Sequence, residues 1–258
     1  MTRLSICTIT LNEEKNLPRA LDSVRGMADE IVVVDCGSKD RTQAIARERG
    51  ASVFERSWTS YEEQWNFAAS CAANEWIFVL AADEELSPEL RASLLEWKQQ
   101  KPQFHVYEMA RKAWYLGAWI NHSGWYPDYQ RRLYRRDFAR FEGIIHEVLQ
   151  FEGQPGRLRG DLLHYTLDSF AEHKDKVERY TTLAARQMYE AGKRNWRGAM
   201  WLAAPWTCFS TFVLRGGFLD GYRGWLISRM AASSVWLKFK KLGKLVAAER
   251  HGNAMQTQ

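Results

Sequence analysis

Three short clusters of carboxylates, amides and hydroxyls mark the first hundred residues: Thr10-Leu11-Asn12-Glu13-Glu14, Asp35-Cys36-Gly37-Ser38-Lys39-Asp40 and Asp83-Glu84-Glu85. Acids of this kind accept hydrogen bonds from a base and a ribose. They also hold a hard divalent cation, which brings a diphosphate with it. Each cluster alone is ordinary turn and cap chemistry. Three of them at strand ends on the same sheet edge favour a nucleotide site, because an open parallel sheet binds its ligands beyond the carboxyl ends of its strands.

The elements that must position these clusters are legible as alternating strand and helix signals. Leu4–Thr10, Glu30–Asp35, Ala51–Glu55 and Trp76–Leu80 are short runs of apolar and β-branched residues, mostly continuous. Continuous rather than alternating apolar residues imply burial on both faces, hence a parallel sheet with crossover helices. Helix patterns fill the gaps at Asn16–Val24, Asp40–Arg49, Tyr61–Ala73 and Pro88–Gln99. From Phe104 to Tyr134 the segments FHVYEMARK, AWYLGAWI and YQRRLYRR read as antiparallel edge strands. After His164 the chain turns helical, with a long amphipathic helix over Ser169–Gly192 and another within residues 216–249. The expected fold is α/β, an open, mostly parallel sheet with helices on both faces and a helical, amphipathic C-terminal region. Residues 1–165 form the expected sheet domain that carries the three clusters, 166–250 the helical region, and 251–258 a frayed tail.

Composition narrows the classes. The 258 residues are 46% apolar and 26% charged, which suits a chain with a real core and excludes disordered, collagen-like and coiled-coil chains. Four dispersed cysteines without a C-x-x-C pair argue against a disulfide scaffold or a zinc ribbon and fit a reducing compartment. No secretory signal and no membrane-spanning segment is expected. Neither G-x-G-x-x-G nor G-x-x-x-x-G-K-[ST] occurs, so dinucleotide and P-loop readings lose their main support.

TLNEEKNL, EIVVVDCGSKDRT, QWNFA and EWIFVLAADEELS together resemble the N-terminal half of a family 2 glycosyltransferase with a GT-A fold. FEGIIHEVL, LLHYTLDSFAEHKDKVERYTTLAARQMYEAGK and GFLDGYRGW are similar to one branch of that family, the bacterial lipopolysaccharide-core β-glucosyltransferases acting on inner-core heptose. The resemblance runs in order over roughly residues 3–245.

It implies roles residue by residue. Asp35 would accept the uracil N–H, Thr10, Asn12 and Glu14 would line the nucleotide pocket, and Asp40 would brace its loop. Gln64 and Asn66 would face the donor from their helix. Ala81, Ala82 and Asp83 occupy the D-x-D position, with Asp83 binding Mg²⁺ or Mn²⁺ that bridges the diphosphate. Arg132 would contact the diphosphate, with Arg131 or Arg135 as alternatives. Glu147 would be the general base of an inverting displacement, with Asp128 as second choice, and His146 would orient Glu147 or bind metal. Ala81 is the departure, because the family carries a carboxylate there. Losing a charged acceptor costs about 1.5–3 kcal/mol, or about 10- to 150-fold in donor binding. A catalytically impaired transferase is therefore an alternative.

The implied donor is a UDP-sugar, with glucose suggested by the branch, and the implied acceptor is a lipid-linked saccharide. Charge supports an anionic surface as partner: residues 1–100 carry −6, 101–158 carry +3 and 159–258 carry +8. Five of the twelve tryptophans lie in that basic last stretch, where Lys238, Lys240, Lys241 and Lys244 follow Trp236. These features suit a helix lying in an anionic membrane surface, and equally aromatics packing helices onto a sheet. The expected location is cytoplasmic, peripheral on the inner face of the membrane, with no nucleic acid bound. Two rivals stand beside this reading. A sugar nucleotidyltransferase would need a Gly-rich basic loop where this chain has LNEEKN, and a polyanion-binding module would rest on the basic half alone.

Overall fold

The computed structural model describes residues 1–143, 148–167 and 169–255. Two compact units divide them, one of residues 1–112 and 128–165, the other of 113–127 and 166–258.

In the first unit, β1 (Leu4–Thr10) leads into α1 (Leu17–Ser23), β2 (Glu30–Asp35), α2 (Thr42–Glu48), β3 (Ser52–Glu55), α3 (Tyr61–Cys71), β4 (Trp76–Val79), β5 (Glu84–Leu86) and α4 (Pro88–Gln99). Ser60 and Ser87 cap α3 and α4, each accepting a hydrogen bond from the backbone N–H three residues on, at 3.2 Å. The parallel ladder runs β3-β2-β1-β4. Its register sets Thr10 opposite Asp35, while Cys7 lies opposite both Val32 and Val79. The three polar clusters therefore emerge at one edge of the sheet, as the sequence predicts.

The strands β1, β2 and β4 are buried on both faces, whereas β3 at the end of the ladder is largely exposed. Ile6 and Phe78 pack with Leu90, Leu94 and Trp97 on one side, while Val32, Val34 and Ile77 pack with Trp65 and Ala68 on the other. Val33 meets Leu17, Leu21, Ile45 and Ala46 of the first two helices.

Beyond β4 the sheet turns antiparallel. β6 (Val106–Tyr115), the short β7 (Ala118–Trp119), β8 (Asp128–Arg135), the hairpin of β9 (Ala139–Glu142) with β10 (Val148–Phe151), and β11 (Gly156–Leu167) follow. The order continues β4-β8-β6-β11-β5, so β6 and β8 lie inside the sheet rather than on its edge. Their Val106, Met109, Leu133 and Tyr134 are buried, which an edge position would not require.

The second unit is mainly α5 (Phe170–Glu190), α6 (Arg197–Phe209) and α7 (Gly221–Met255), joined between α6 and α7 by a π-helical turn at Ser210–Leu214 and a 3₁₀ turn at Gly217–Asp220. Ser169 caps α5 by accepting from the Glu172 N–H at 3.1 Å. Ala185, Leu242 and Val246 form its helical core, and Tyr115, Ile120, Leu226 and Ile227 a second one.

Candidate active site

A cavity of about 440 Å³ opens at the carboxyl edge of the parallel strands. Thr10 and Glu13 line it after β1, Cys36 after β2, and Ala81, Ala82 and Asp83 after β4. Trp58, Tyr61 and Trp65 supply an aromatic wall, with the Trp58 and Tyr61 rings edge to face at 4.7 Å.

Asp35 organises the floor of this edge. Its Oδ1 accepts from the backbone N–H groups of Gly37 (3.1 Å) and Ser38 (2.8 Å) and from Gln43 Nε2 (2.9 Å). Its Oδ2 accepts from the hydroxyls of Thr10 (2.9 Å) and Ser38. Burial works to raise the Asp35 carboxyl, but these bonds outweigh it and hold the group below the usual carboxylate range. With five internal donors, the carboxylate fixes the β2–α2 loop.

Asn12, Glu14 and Asp40 stitch two loops together. Asn12, in the left-handed region at φ 56°, donates its N–H to the Ser38 hydroxyl (2.8 Å) and accepts from the Lys39 N–H (2.9 Å). The Glu14 N–H donates to Asp40 (3.2 Å), and the Arg41 N–H to the Glu14 carboxylate (3.2 Å). Gln64 donates to the Ser57 carbonyl (2.8 Å), while Asn66 exchanges two bonds with the backbone of Phe141 at 2.9 and 3.0 Å. Both α3 residues pin neighbouring chain, and Trp65 between them is the one that reaches the cavity.

Asp83 is the acid at the cavity mouth. His164 Nε2 on β11 lies 3.1 Å from its Oδ2. Burial pushes the Asp83 carboxyl up, yet the hydrogen bond and charge of His164 bring it below the usual range, with Arg132 adding to the effect. Glu13 behaves oppositely. Burial raises its carboxyl, the Asn16 hydrogen bond (3.0 Å) opposes the rise, and the charges of Asp83 and Asp40 add to it.

Behind the cavity runs an ion network. Glu84, with a fully buried side chain, accepts from the Ala81 N–H (3.0 Å) and from Arg132 Nη2 (2.7 Å). Arg111 sits 3.7 Å from Glu84 and donates to Asp128 at 2.6 and 3.0 Å. Gln130 takes the other Asp128 oxygen at 2.8 Å. Arg132 thus holds Glu84, and Asp128 is held by Arg111. Arg131 stacks on Phe151, and Arg135 pairs with Glu75. His146 and Glu147 lie outside the described residues.

The sequence placed Glu13 in the first polar cluster without a role of its own, and did not single out His164 or the Trp58/Tyr61 pair. His164 stands in the motif LLHYTLDS, and only the pairing of β11 with β5 brings it to Asp83. Among the described residues no group of three His, Cys, Asp or Glu gathers as a complete metal site. Asp83 and His164 still offer one hard oxygen and one imidazole nitrogen, with Glu13 on the same cavity. That donor set fits a divalent cation sharing its remaining positions with a diphosphate.

An open α/β sheet with acidic clusters and a cavity over its carboxyl edge has its ligand site where proteins of this architecture bind nucleotides. The sequence model of glycosyl transferase family 2 matches residues 5–148. A glycosyltransferase of Rickettsia typhi, described as uncharacterised, is 30% identical over 97% of this chain and 90% of its own. The lipopolysaccharide core biosynthesis glycosyltransferase LpsC of Rhizobium meliloti is 33% identical over 74% of this chain and 73% of its own. Glucosyl-3-phosphoglycerate synthase from Mycobacterium tuberculosis, solved with Mn²⁺, UDP and glucosyl-3-phosphoglycerate, superposes on 42% of this chain and 43% of its own, with 21% identity and a TM-score of 0.36. The chain belongs to glycosyl transferase family 2 and is a glycosyltransferase. This membership sets the nucleotidyltransferase reading aside.

Proposed function

We propose that the protein transfers a hexosyl group, glucose in the first instance, from a UDP-sugar to a lipid-linked saccharide such as a lipopolysaccharide inner core. The transfer inverts the anomeric centre and takes place at the cytoplasmic face of the membrane. The observation that carries the nucleotide part is the cavity at the β1, β2 and β4 ends, where Thr10, Glu13 and Asp83 converge, with His164 bonded to Asp83. The relative named for lipopolysaccharide core biosynthesis supports the acceptor.

In this reading Asp83 and His164 would hold Mg²⁺ or Mn²⁺, which when bound would supply positive charge for a departing diphosphate. Trp58 and Tyr61 offer faces for the base to stack on. Asp35 keeps the loop beside the base in place through its five bonds, and Asp40 braces the same loop. Glu147 takes the proton of the acceptor hydroxyl as that oxygen attacks the anomeric carbon from the face opposite the diphosphate. Asp128 is the weaker choice of base because Arg111 and Gln130 occupy both of its oxygens.

Ala81 removes a carboxylate from the cavity wall, and Glu13 is the acid on that cavity able to replace part of its charge. A second reading, an enzyme slowed by Ala81, rests on the same position. Calorimetric titration of UDP with and without Mn²⁺ into the protein, Ala81→Asp and Asp83→Asn tests both. Binding to the unaltered protein should depend on metal, Ala81→Asp should tighten it by about 10- to 150-fold, and Asp83→Asn should abolish the metal response. No binding in any form overturns the proposal. Equal affinity of the unaltered and Ala81→Asp proteins removes the slowed-enzyme reading.

A further inference from the structure

The outward face of the second unit is apolar where solvent-facing helices are normally polar. On α6 and the turn after it, Leu202, Trp206, Phe209 and Val213 recur at spacings of four, three and four and are all exposed, Leu202 by 76% and Trp206 by 61%. At the other side of the tip, Phe218, Tyr222 and Trp225 repeat the pattern at four and three, with Tyr222 70% exposed. Leu214 and Leu219 add to it at the turn itself. A helical stripe at this spacing ordinarily faces a core, so a stripe facing outward marks a surface that meets something apolar.

The charge on the same segment is of one sign. Arg215 and Arg229 are exposed among or beside these side chains, with Arg229 over the Trp225 ring at 5.3 Å, whereas Arg223 is half-buried and donates to the Leu116 carbonyl at 2.9 Å. Between Lys193 and Lys244 the sequence holds a single acid, Asp220. That carboxylate is turned inward. It accepts from the N–H groups of Asn121 and His122, both at 3.1 Å, and from the Ser123 hydroxyl at 2.9 Å, and its side chain is 3% exposed. The tip is also tightly built, since a Cβ on Gly224 would meet the Gly217 carbonyl oxygen at 1.7 Å. No helix among the described residues is long and apolar enough to cross a membrane.

We infer that the α6–α7 tip is a membrane-docking element whose apolar stripes enter the interfacial layer of an anionic bilayer while Arg215 and Arg229 meet its phosphates. Tryptophan, tyrosine and phenylalanine are the side chains suited to that depth, and cations without competing acids suit an anionic surface. The exposed stripes alone would also fit a second copy of the chain, but the exposed Arg215 and Arg229, with Asp220 turned inward, oppose pairing this face with its own copy. The inference stands on this surface and not on the identity of the donor or acceptor.

The test uses the full chain, without sugar nucleotide or acceptor, in co-sedimentation with vesicles of phosphatidylcholine containing about 30% phosphatidylglycerol and with pure phosphatidylcholine. The protein should pellet with the anionic vesicles and several-fold less with the neutral ones. Trp206→Glu/Phe209→Glu, and separately the milder Leu202→Ser/Trp206→Ser, should weaken binding about tenfold or more while near-UV circular dichroism and UDP titration stay unchanged. A protein that remains in the supernatant overturns the inference, as does a variant pair that is folded and binds as well as the parent. Light scattering that finds a dimer, dissociated by the same substitutions and indifferent to vesicles, also overturns it and assigns the surface to a second copy. Because UDP titration is read separately, failure here leaves the transferase reading intact.

Discussion

At the scale of single residues, the acid at the end of β2 carries more than one task. Asp35 is fully buried and takes five hydrogen bonds, so its charge is worth keeping only while those donors converge on it. Its folded carboxyl lies below the ordinary range. It therefore adds stability that is complete above the unfolded carboxyl value near about 4 and is lost as pH falls through the lower folded value. Asp35→Asn should lower stability at neutral pH by about 2–3 kcal/mol and flatten the acid limb of the melting temperature plotted against pH. A variant whose acid limb matches the parent's would remove Asp35 as a source of that dependence. At Asp83 the partner matters as much as the acid. His164→Ala should weaken metal-dependent UDP binding by about 10- to 100-fold while leaving metal-free UDP binding nearly unchanged, as calorimetry would read it. Asp35 was legible because it ends β2, and Asp83 because it stands in the polar turn that follows β4. Glu13 was visible only as a member of its cluster and the Trp58/Tyr61 pair not at all, since helix and loop periodicity do not tell which side of a turn faces a cavity. His164 was beyond reach because 81 residues separate it from Asp83.

At the scale of elements, the parallel half of the sheet was readable because β1, β2 and β4 are continuous apolar runs of 7, 6 and 4 residues rich in β-branched and aromatic side chains, too short for buried helices. The antiparallel half resisted for a physical reason. β11 alternates small, charged and apolar residues through GRLRGDLLHYTL and carries Gly160 in its middle, a pattern that weakens a strand assignment. The structure shows why that glycine is there. Gly160 has φ +90°, and a Cβ on it would lie 2.2 Å from the Leu90 backbone nitrogen at the start of α4. Gly160→Ala should therefore cost at least about 2 kcal/mol and lower the melting temperature by roughly 4–8 °C, through strain and a forced shift of α4. An unchanged melting temperature would show that α4 gives way without cost. The same strand positions His164, so the substitution should also reduce metal-dependent UDP binding, whereas a substitution at the open Gly26 turn should not. Helix α6 had no clear sequence signature either, because Pro205 and an outward apolar face both contradict the usual soluble pattern.

At the scale of the whole molecule, net charge and charge distribution predict different behaviour. A chain of +5 would be only weakly drawn to an anionic surface, but the charge is divided as −6 over residues 1–100 and +8 over 159–258. Attraction should thus follow the cations near the apolar tip rather than the total. Each such cation is worth about 1 kcal/mol near an anionic surface and is screened as the Debye length falls from roughly 10 Å at 0.1 M salt to 3 Å at 1 M. Arg215→Gln/Arg229→Gln should therefore weaken binding to anionic vesicles by about 10- to 30-fold at low salt. The deficit should shrink towards nothing at high salt. The Trp206 and Phe209 substitutions should behave in the opposite way, with a deficit that persists at high salt, because apolar burial is not screened. Ala81→Asp, which makes the acidic end more so by one charge, should leave vesicle binding unchanged at every salt concentration. A salt response that instead followed total charge, with Ala81→Asp costing as much as loss of one arginine, would mean that the molecule meets the surface as a diffuse cation and not through the tip.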